Sequence, residues 1–342
     1  MFGGCQIRPF EKCIEKVKYT TKVASQDFKE TGLYPIISQE EAFISGYWDI
    51  TEDVFHITKP VVIFGDHSRH LKYVDFDFVI GADGVKILSP VDDINAKYFY
   101  YYLKWLDIPS LGYSRHFKSL KEKTVKVFPI EEQQRIVDEL DLLSGIIDKK
   151  NAQLRDLDAL AQSIFYEMFG DPITNNKGWS VRKVIEVVKL QRGYDLPIQD
   201  RDSYGSIPIY GSNGIIDRHS EYKAPLGIIT GRSGTLGRVY YSEKPFWPLN
   251  TTLFSVDCHG NNVVYLKYLL SNYHLERFGA GAGVPTLNRN EFHGQPIISV
   301  PVETQLCFAE RVSAIESQKA LIHRSVEDAQ KLFTSRMSHY FD

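Results

Sequence analysis

After Pro129 the apolar residues recur in alternating steps of four and three. They are Ile136, Leu140, Leu143 and Ile147, then, past Lys150, Leu154, Leu157, Ala161, Ile164 and Met168. This is the a/d pattern of a heptad repeat, whose apolar edge demands a second helix to cover it. The same steps, 172 residues later, fall on Phe308, Val312, Ile315, Lys319, Ile322, Val326, Ala329, Phe333, Arg336 and Tyr340, eight of the ten apolar. Two long helices are predicted, over 130–170 and 302–342. Pro129 and Glu131-Glu132 suit a helix start, where a missing N–H is harmless and carboxylates meet the positive end of the dipole. Gly170 followed by Pro172 suits a stop. Each helix would run about 39 residues, roughly 58 Å at 1.5 Å per residue.

The repeat extends beyond the helices. Pro129-Ile130-Glu131-Glu132-Gln133 returns as Pro301-Val302-Glu303-Thr304-Gln305, and Ser163 to Phe169 returns as Ser335 to Phe341, both at a shift of 172. Lys12-Cys13-Ile14-Glu15 echoes Lys183-Val184-Ile185-Glu186 at a shift of 171. Between these anchors the halves diverge, so a duplicated frame carries two different inserts. If the two helices pack together, connectivity makes them antiparallel, with a globular part at each end. The expected shape is a pseudo-twofold dumbbell whose chain ends lie close together, with Lys150 and Lys319 helping to set register. Two separate amphipathic helices, or coiled coils between molecules, are the alternatives.

The inserts, 1–129 and 171–301, mix short β-type runs with Gly- and Asn-rich turns and a late helix. Val61–Gly65 and Phe78–Gly81 read as strands and Ala96 to Leu106 as a helix. In the second copy Gly227–Gly231 and Thr252–Val256 are their expected counterparts, and Val263 to Leu275 the helix. The predicted class is α+β, with two similar α+β domains separated by two long antiparallel helices that form a coiled coil.

Composition changes little. Apolar content of 43% and charged content of 24% are ordinary for a globular protein. The run Tyr98-Phe99-Tyr100-Tyr101-Tyr102 reads as core packing. Four cysteines without a CxxC pair, no basic-then-apolar leader and no long apolar stretch point to a reduced, cytoplasmic protein without a membrane segment. No Cys/His cluster has metal spacing. The net charge of −3 does not advertise nucleic-acid binding, but residues 131–169 carry −5 and 302–341 carry zero, leaving +2 elsewhere.

Basic, polar and aromatic residues gather in the loops of both inserts. The candidate DNA contacts are Arg69, Lys72, Tyr113, Arg115, His116 and Lys118 in the first. In the second they are Arg192, Tyr194, Asn213, Arg218, Arg232, Ser233, Asn250 and Arg289. Arg and Asn can bind guanine and adenine edges with two hydrogen bonds, while Ser and Lys serve phosphates. The bland reading is a solvated loop surface. No catalytic signature competes. Gly231, Gly234 and Gly237 form no P-loop, and Asp217, Glu221 and Lys223 are spaced too closely for a nuclease metal site. No Asn/Asp-Pro-Pro-aromatic motif of an amino-methyltransferase is present, and no cofactor is expected.

Taken together, these residues resemble the specificity (S) subunit of type I restriction-modification systems along essentially the whole chain. The marks are the Pro-x-Glu-x-Gln openings at Pro129 and Pro301 and the segment Gly112-Tyr113-Ser114-Arg115-His116-Phe117-Lys118-Ser119-Leu120-Lys121-Glu122. Pro248-Leu249-Asn250-Thr251-Thr252-Leu253 and Val284-Pro285-Thr286-Leu287-Asn288-Arg289-Asn290 complete them. The longer Pro-Leu-Pro-Pro-Leu-Glu-Glu-Gln opening is reduced here to Phe128-Pro129-Ile130-Glu131 and Val300-Pro301-Val302-Glu303. The resemblance implies two target recognition domains reading a bipartite, asymmetric site on double-stranded DNA. It also implies helices that act as a ruler and dock adenine-N6 methyltransferase (M) subunits, ATP-dependent restriction (R) subunits that join for restriction, and no catalysis by the chain itself. A non-DNA coiled-coil adaptor and a metal-dependent endonuclease are the competing readings.

Overall fold

A computed structural model describes residues 4–109, 112, 114–280 and 283–342. Seven α-helices occur among them: α1 (Ala96–Trp105), α2 (Phe117–Lys121), α3 (Ile130–Phe169), α4 (Val184–Val187), α5 (Val263–Ser271), α6 (Arg289–His293) and α7 (Val302–Phe341). Helices α3 and α7 have 40 residues each. Both begin just after the repeated proline, whose carbonyl accepts the first amides: Glu132 and Gln133 on Pro129 O, Thr304 and Gln305 on Pro301 O, at 3.0–3.2 Å. Gly170, at φ 73°, ends α3 in the left-handed region that suits glycine. Along α7 every heptad-edge position from Phe308 to Tyr340 is buried or half-buried. On α3, Leu140, Leu143 and Leu154 are buried, while Ile147, Leu157 and Ile164 are half-buried. Helix α5 is shorter than the apolar run suggests, because His274 turns into the left-handed region at φ 56°.

The chain divides into two units, Met1–Lys150 with Ser325–Asp342, and Asn151–Arg324. Each contains half of both long helices, packed antiparallel. In the first unit the Arg135 guanidinium lies 5.6 Å from the centre of the Tyr340 ring, and one turn further along α3 Glu139 meets Arg336, one turn back along α7, at 2.5 Å. Ile136, Val137 and Leu140 pack there with Met337, Tyr340, Phe341 and the aromatic face of α1 (Tyr98, Phe99, Tyr101, Tyr102). In the second unit the Phe308 ring sits 5.7 Å from Phe165 and 5.3 Å from Phe169, and Lys319 reaches Asp158 at 2.6 Å. Residues 172 apart therefore play matching parts: Ile136 and Phe308, Phe165 and Met337, Phe169 and Phe341 are all buried.

The glutamine of the repeated opening is a pin. Gln133 and Gln305 are fully buried. Gln133 Oε1 accepts from Asn95 N at 2.8 Å, and its Nε2 donates to Asp93 O and Phe128 O. Gln305 Oε1 accepts from Asn262 N at 2.9 Å, and its Nε2 donates to Asn261 Oδ1 and Val300 O. Asn95 and Asn262 are the N-caps of α1 and α5. One buried amide thus ties the start of each long helix to the start of the helix lying against it, with every polar group satisfied.

Both units pair a strand near their start with one near their end, Gln6–Pro9 with Thr124–Val127 and Ser180–Lys183 with Pro296–Ser299. Each then builds a four-stranded antiparallel sheet. The order is Ile14–Glu15, Val85–Pro90, Val61–Gly65, Leu71–Val74 in one, and Lys189–Arg192, Thr252–Asp257, Gly227–Gly231, Val239–Ser242 in the other. The second sheets differ. Tyr34–Ile37 and Phe78–Gly81 pair in parallel within five strands, whereas Ile207–Gly211 and Trp247–Pro248 pair in parallel within three. This corrects the expected strand match: Thr252–Asp257 corresponds to Val85–Pro90, and the counterpart of Phe78–Gly81 is Trp247–Pro248. Buried strands of both sheets read alike as apolar runs, so only pairing tells them apart. Among the described residues no helix is long and apolar enough to cross a membrane, and the cysteines are unpaired.

Candidate nucleic-acid interface

In both units the loops at one end of the four-stranded sheet converge. In the first, the turn after Val61–Gly65 holds the stage. Asp66 N donates to Gly84 O at 2.7 Å, and Asp66 O accepts from His116 N at 2.8 Å. The Asp66 carboxylate is buried; it accepts from Phe117 N at 2.8 Å at the start of α2 and lies 3.6 Å from Lys86 Nζ. His67 Nδ1 contacts Ser114 O at 3.2 Å, and Gln39 Oε1 accepts from His67 N at 3.1 Å. These bonds fasten the segments around residues 39, 67 and 114 to one another and leave Arg115 and Lys118 exposed. Arg69, held at φ 64°, donates from Nη1 to Ile108 O at 2.8 Å.

Two expected contacts are corrected. Lys72 is buried, and its ammonium donates to Ser38 O, Ala42 O and Phe43 O. Burial holds its pKa below the ordinary lysine value. His116 is 1% exposed and its Nδ1 meets Asp66 O at 3.0 Å. Both side chains shape the loops from inside, and neither is open to a partner. Tyr113 lies outside the described residues.

In the second unit the equivalent turn follows Gly227–Gly231. Gly65 pairs with Val85 and Gly231 with Thr252, so Asp66 and Arg232 stand at the same step of the same sheet. The main-chain bonds repeat: Arg232 N donates to Thr251 O and Arg232 O accepts from Leu287 N, both at 2.8 Å. The side chain there is cationic. Arg232 Nε donates to Asn250 O at 2.9 Å. Arg232, Arg192 and Arg289 line one concavity with Thr286, Asn288 and Asn290. Arg192 lies 3.6 Å from Asp195, which accepts from Asn250 Nδ2. Ser233 N donates to Thr251 O at 3.2 Å beside them. Tyr194 is 37% exposed, its ring 5.9 Å from Phe254.

Asn213 and Arg218 do not join this group. Asn213 faces a separate concavity with Tyr210, Tyr240 and Lys267, and Arg218 donates to Ser206 O at 3.3 Å on the hairpin strand Gly214–His219. The Asp217/Glu221/Lys223 set is engaged elsewhere. The Arg218 amide, the Ser203 hydroxyl and Arg201 hold Asp217 below the usual carboxylate range, while Lys223 sits 4.8 Å from the Trp247 ring centre. No three His, Cys, Asp or Glu side chains among the described residues come together as metal ligands.

Sequence reasoning missed the positioning residues. Asp66 and Gln39 carry no motif. His293, at the end of α6, accepts from Leu190 N through Nε2 at 2.9 Å and so ties the helix of Arg289 to the strand of Arg192. Burial, with the nearby charges of Arg289 and Lys189, holds its pKa below the ordinary histidine value. The Asn caps were findable, since each precedes its aromatic helix run directly.

A sequence profile described as the type I restriction modification DNA specificity domain matches residues 13–156 and again 176–329. The chain belongs to that family. Two matches in one chain coincide with the two copies of the frame. The specificity subunit of the Escherichia coli type I restriction enzyme EcoR124I/EcoR124II is 35% identical over 98 residues, 27% of this chain and 24% of that protein. The MjaIX specificity subunit of Methanocaldococcus jannaschii is 26% identical over 138 residues, 33% of this chain and 32% of that protein. These alignments thus span about a quarter and a third of the curated relatives. A crystal structure of a type I restriction-modification S subunit from M. genitalium superposes over 98% of this chain and 95% of its own at a TM-score of 0.64 and 15% identity. At that identity the likeness concerns the fold of the specificity family alone.

Proposed function

We propose that this chain is the DNA-sequence specificity subunit of a type I restriction-modification system. Residues 1–129 and 171–301 act as target recognition domains, each reading one half of a bipartite, asymmetric site on double-stranded DNA. Residues 130–170 and 302–342 set the separation of the halves and dock adenine-N6 methyltransferase subunits, which bring S-adenosylmethionine. ATP-dependent restriction subunits join the assembly for cleavage. The chain itself is non-catalytic and works in the cytoplasm. Arg69, Arg115 and Lys118 are the proposed contacts of the first domain. Arg192, Tyr194, Asn213, Arg218, Arg232, Ser233, Asn250 and Arg289 are those of the second.

One observation carries this reading. A single step of a repeated sheet, held by the same main-chain bonds, turns Asp66 inward in one unit and points Arg232 into an arginine-lined concavity in the other. Two readers of unlike sequences need a common scaffold and different donors and acceptors upon it. The test is to express the chain with its neighbouring methyltransferase and map methylated adenines across the host genome. The expected outcome is a two-part motif with a fixed gap. Methylation without such a motif, or none at all, contradicts the proposal.

A further inference from the structure

Arg232 is fixed on one side and open on the other. Its main chain is bonded in both directions, and Nε is held on Asn250 O. Neither terminal nitrogen has a hydrogen-bond partner among the described residues. A guanidinium held by Nε keeps its plane and presents two parallel N–H groups end-on, which match two acceptors side by side. In DNA such acceptors are guanine N7 and O6 in the major groove, or two oxygens of a phosphate.

The surroundings separate the two. Arg289 is the first residue of α6, and its side chain makes no hydrogen bond to any described residue. Arg192 is exposed, and its one ion pair among the described residues is with Asp195 at 3.6 Å. Loose cations at the mouth of a concavity can follow a phosphate backbone, whereas base readout rewards the donor whose orientation is set beforehand.

We propose that Arg232 determines specificity in the second unit by reading the major-groove edge of a guanine, while Arg192 and Arg289 hold the flanking phosphates. The inference rests on the DNA-reading function proposed above and adds the base and the residue. At the equivalent step the first unit offers no such donor, because the Asp66 carboxylate is buried against Phe117 N and beside Lys86. The guanine read from this sheet step therefore falls in the half of the target that the second unit meets.

Two measurements on the full chain with its methyltransferase partner test this. In the first, methylated adenines are mapped for wild type, Arg232→Lys and Arg232→Ala. Both variants are expected to relax one guanine·cytosine pair in one half of the motif, with discrimination there falling about 10-fold or more, and to leave the other half unchanged. In the second, unaltered protein binds duplexes with 7-deazaguanine at each guanine of the motif in turn, so that no variant need fold. Affinity should fall about 10-fold at one position in that same half. An unchanged motif in both variants overturns the assignment, as does indifference to 7-deazaguanine throughout. A uniform loss of affinity with the motif intact also overturns it, since that is how a phosphate contact behaves. If the wild-type complex yields no bipartite motif, the underlying function fails instead, and the inference falls with it.

Discussion

In the first unit the turn after Val61–Gly65 carries Asp66, and in the second the turn after Gly227–Gly231 carries Arg232. Both backbones donate to one neighbouring loop and accept from another with nearly equal geometry. The side chains then part. The carboxylate turns inward to start α2, and the guanidinium faces a concavity shared with two other arginines. The comparison teaches that this fold separates what holds the loops from what the loops offer. Main-chain bonds and buried pins such as Gln133 and Gln305 are common property, and the charge displayed is free to differ.

Breaking the common property should cost both units alike and cost the most. Phe308→Ala and its counterpart Ile136→Ala each empty a fully buried site between the long helices, and each should lose about 3–5 kcal/mol. Leu143→Glu, which places a charge on the covered helix edge, belongs in the same group and should also impair assembly with partner subunits. Urea denaturation with hydrogen-exchange mass spectrometry assigns the loss to one unit or the other; normal stability and assembly would contradict the seam.

Next come the pins. Gln133→Ala and Gln305→Ala each strand a cap amide and two acceptors in a buried place, which should cost roughly 2–3 kcal/mol. Exchange should quicken first at α1 in one variant and at α5 in the other. A loss in one unit alone would show that the two frames are not equivalent.

The charged step should divide the units. Asp66→Ala removes the acceptor for Phe117 N and should cost about 1–2 kcal/mol. Arg232→Ala should change stability by less than about 0.5 kcal/mol yet weaken DNA binding, as should Arg115→Ala in the first unit. Denaturation midpoints beside duplex-binding isotherms check this, and equal stability losses at Asp66 and Arg232 would erase the distinction.

The smallest effect is the pH dependence that His293 gives the second unit. The folded pKa of His293 lies below its ordinary value, so unfolding takes up a proton. Its contribution is complete above the unfolded value, about pH 6.5, and declines as pH falls through that value toward the folded one. The matching helix α2 ends instead on Lys121, exposed and paired with Glu11 at 2.9 Å. Urea midpoints from pH 7.5 to pH 5 should slope for wild type and flatten for His293→Gln.

Much of the frame was legible because periodicity is local. The steps of four and three that begin at Ile136 and Phe308 mark the covered helix edges, and the repeated prolines fall next to the observed helix starts. The loops were legible only as a set. Arg192, Arg232 and Arg289 come from three separate segments and meet only in the folded unit. Lys72 and His116 looked like contacts because composition cannot tell an exposed cation or imidazole from one fastened to carbonyls. By sequence Thr252–Asp257 resembles Phe78–Gly81, because any buried strand reads as a short apolar run, and only its pairing sets it beside Val85–Pro90.

By itself, then, the sequence determined the duplication, the two long helices, the covered edge of each and the α+β character of the inserts. These follow from residue spacing along one chain, which sets the faces of a helix or strand without reference to distant segments. Only the tertiary structure decided which strands are partners, that Gln133 and Gln305 are buried pins, and that one sheet position carries Asp66 inward and Arg232 outward. Such facts depend on hydrogen bonds between residues some 20 to 50 positions apart, such as Asp66 with His116 and Arg232 with Thr251. Burial and partners fix the role of a polar side chain, and neither is written in its neighbours along the chain.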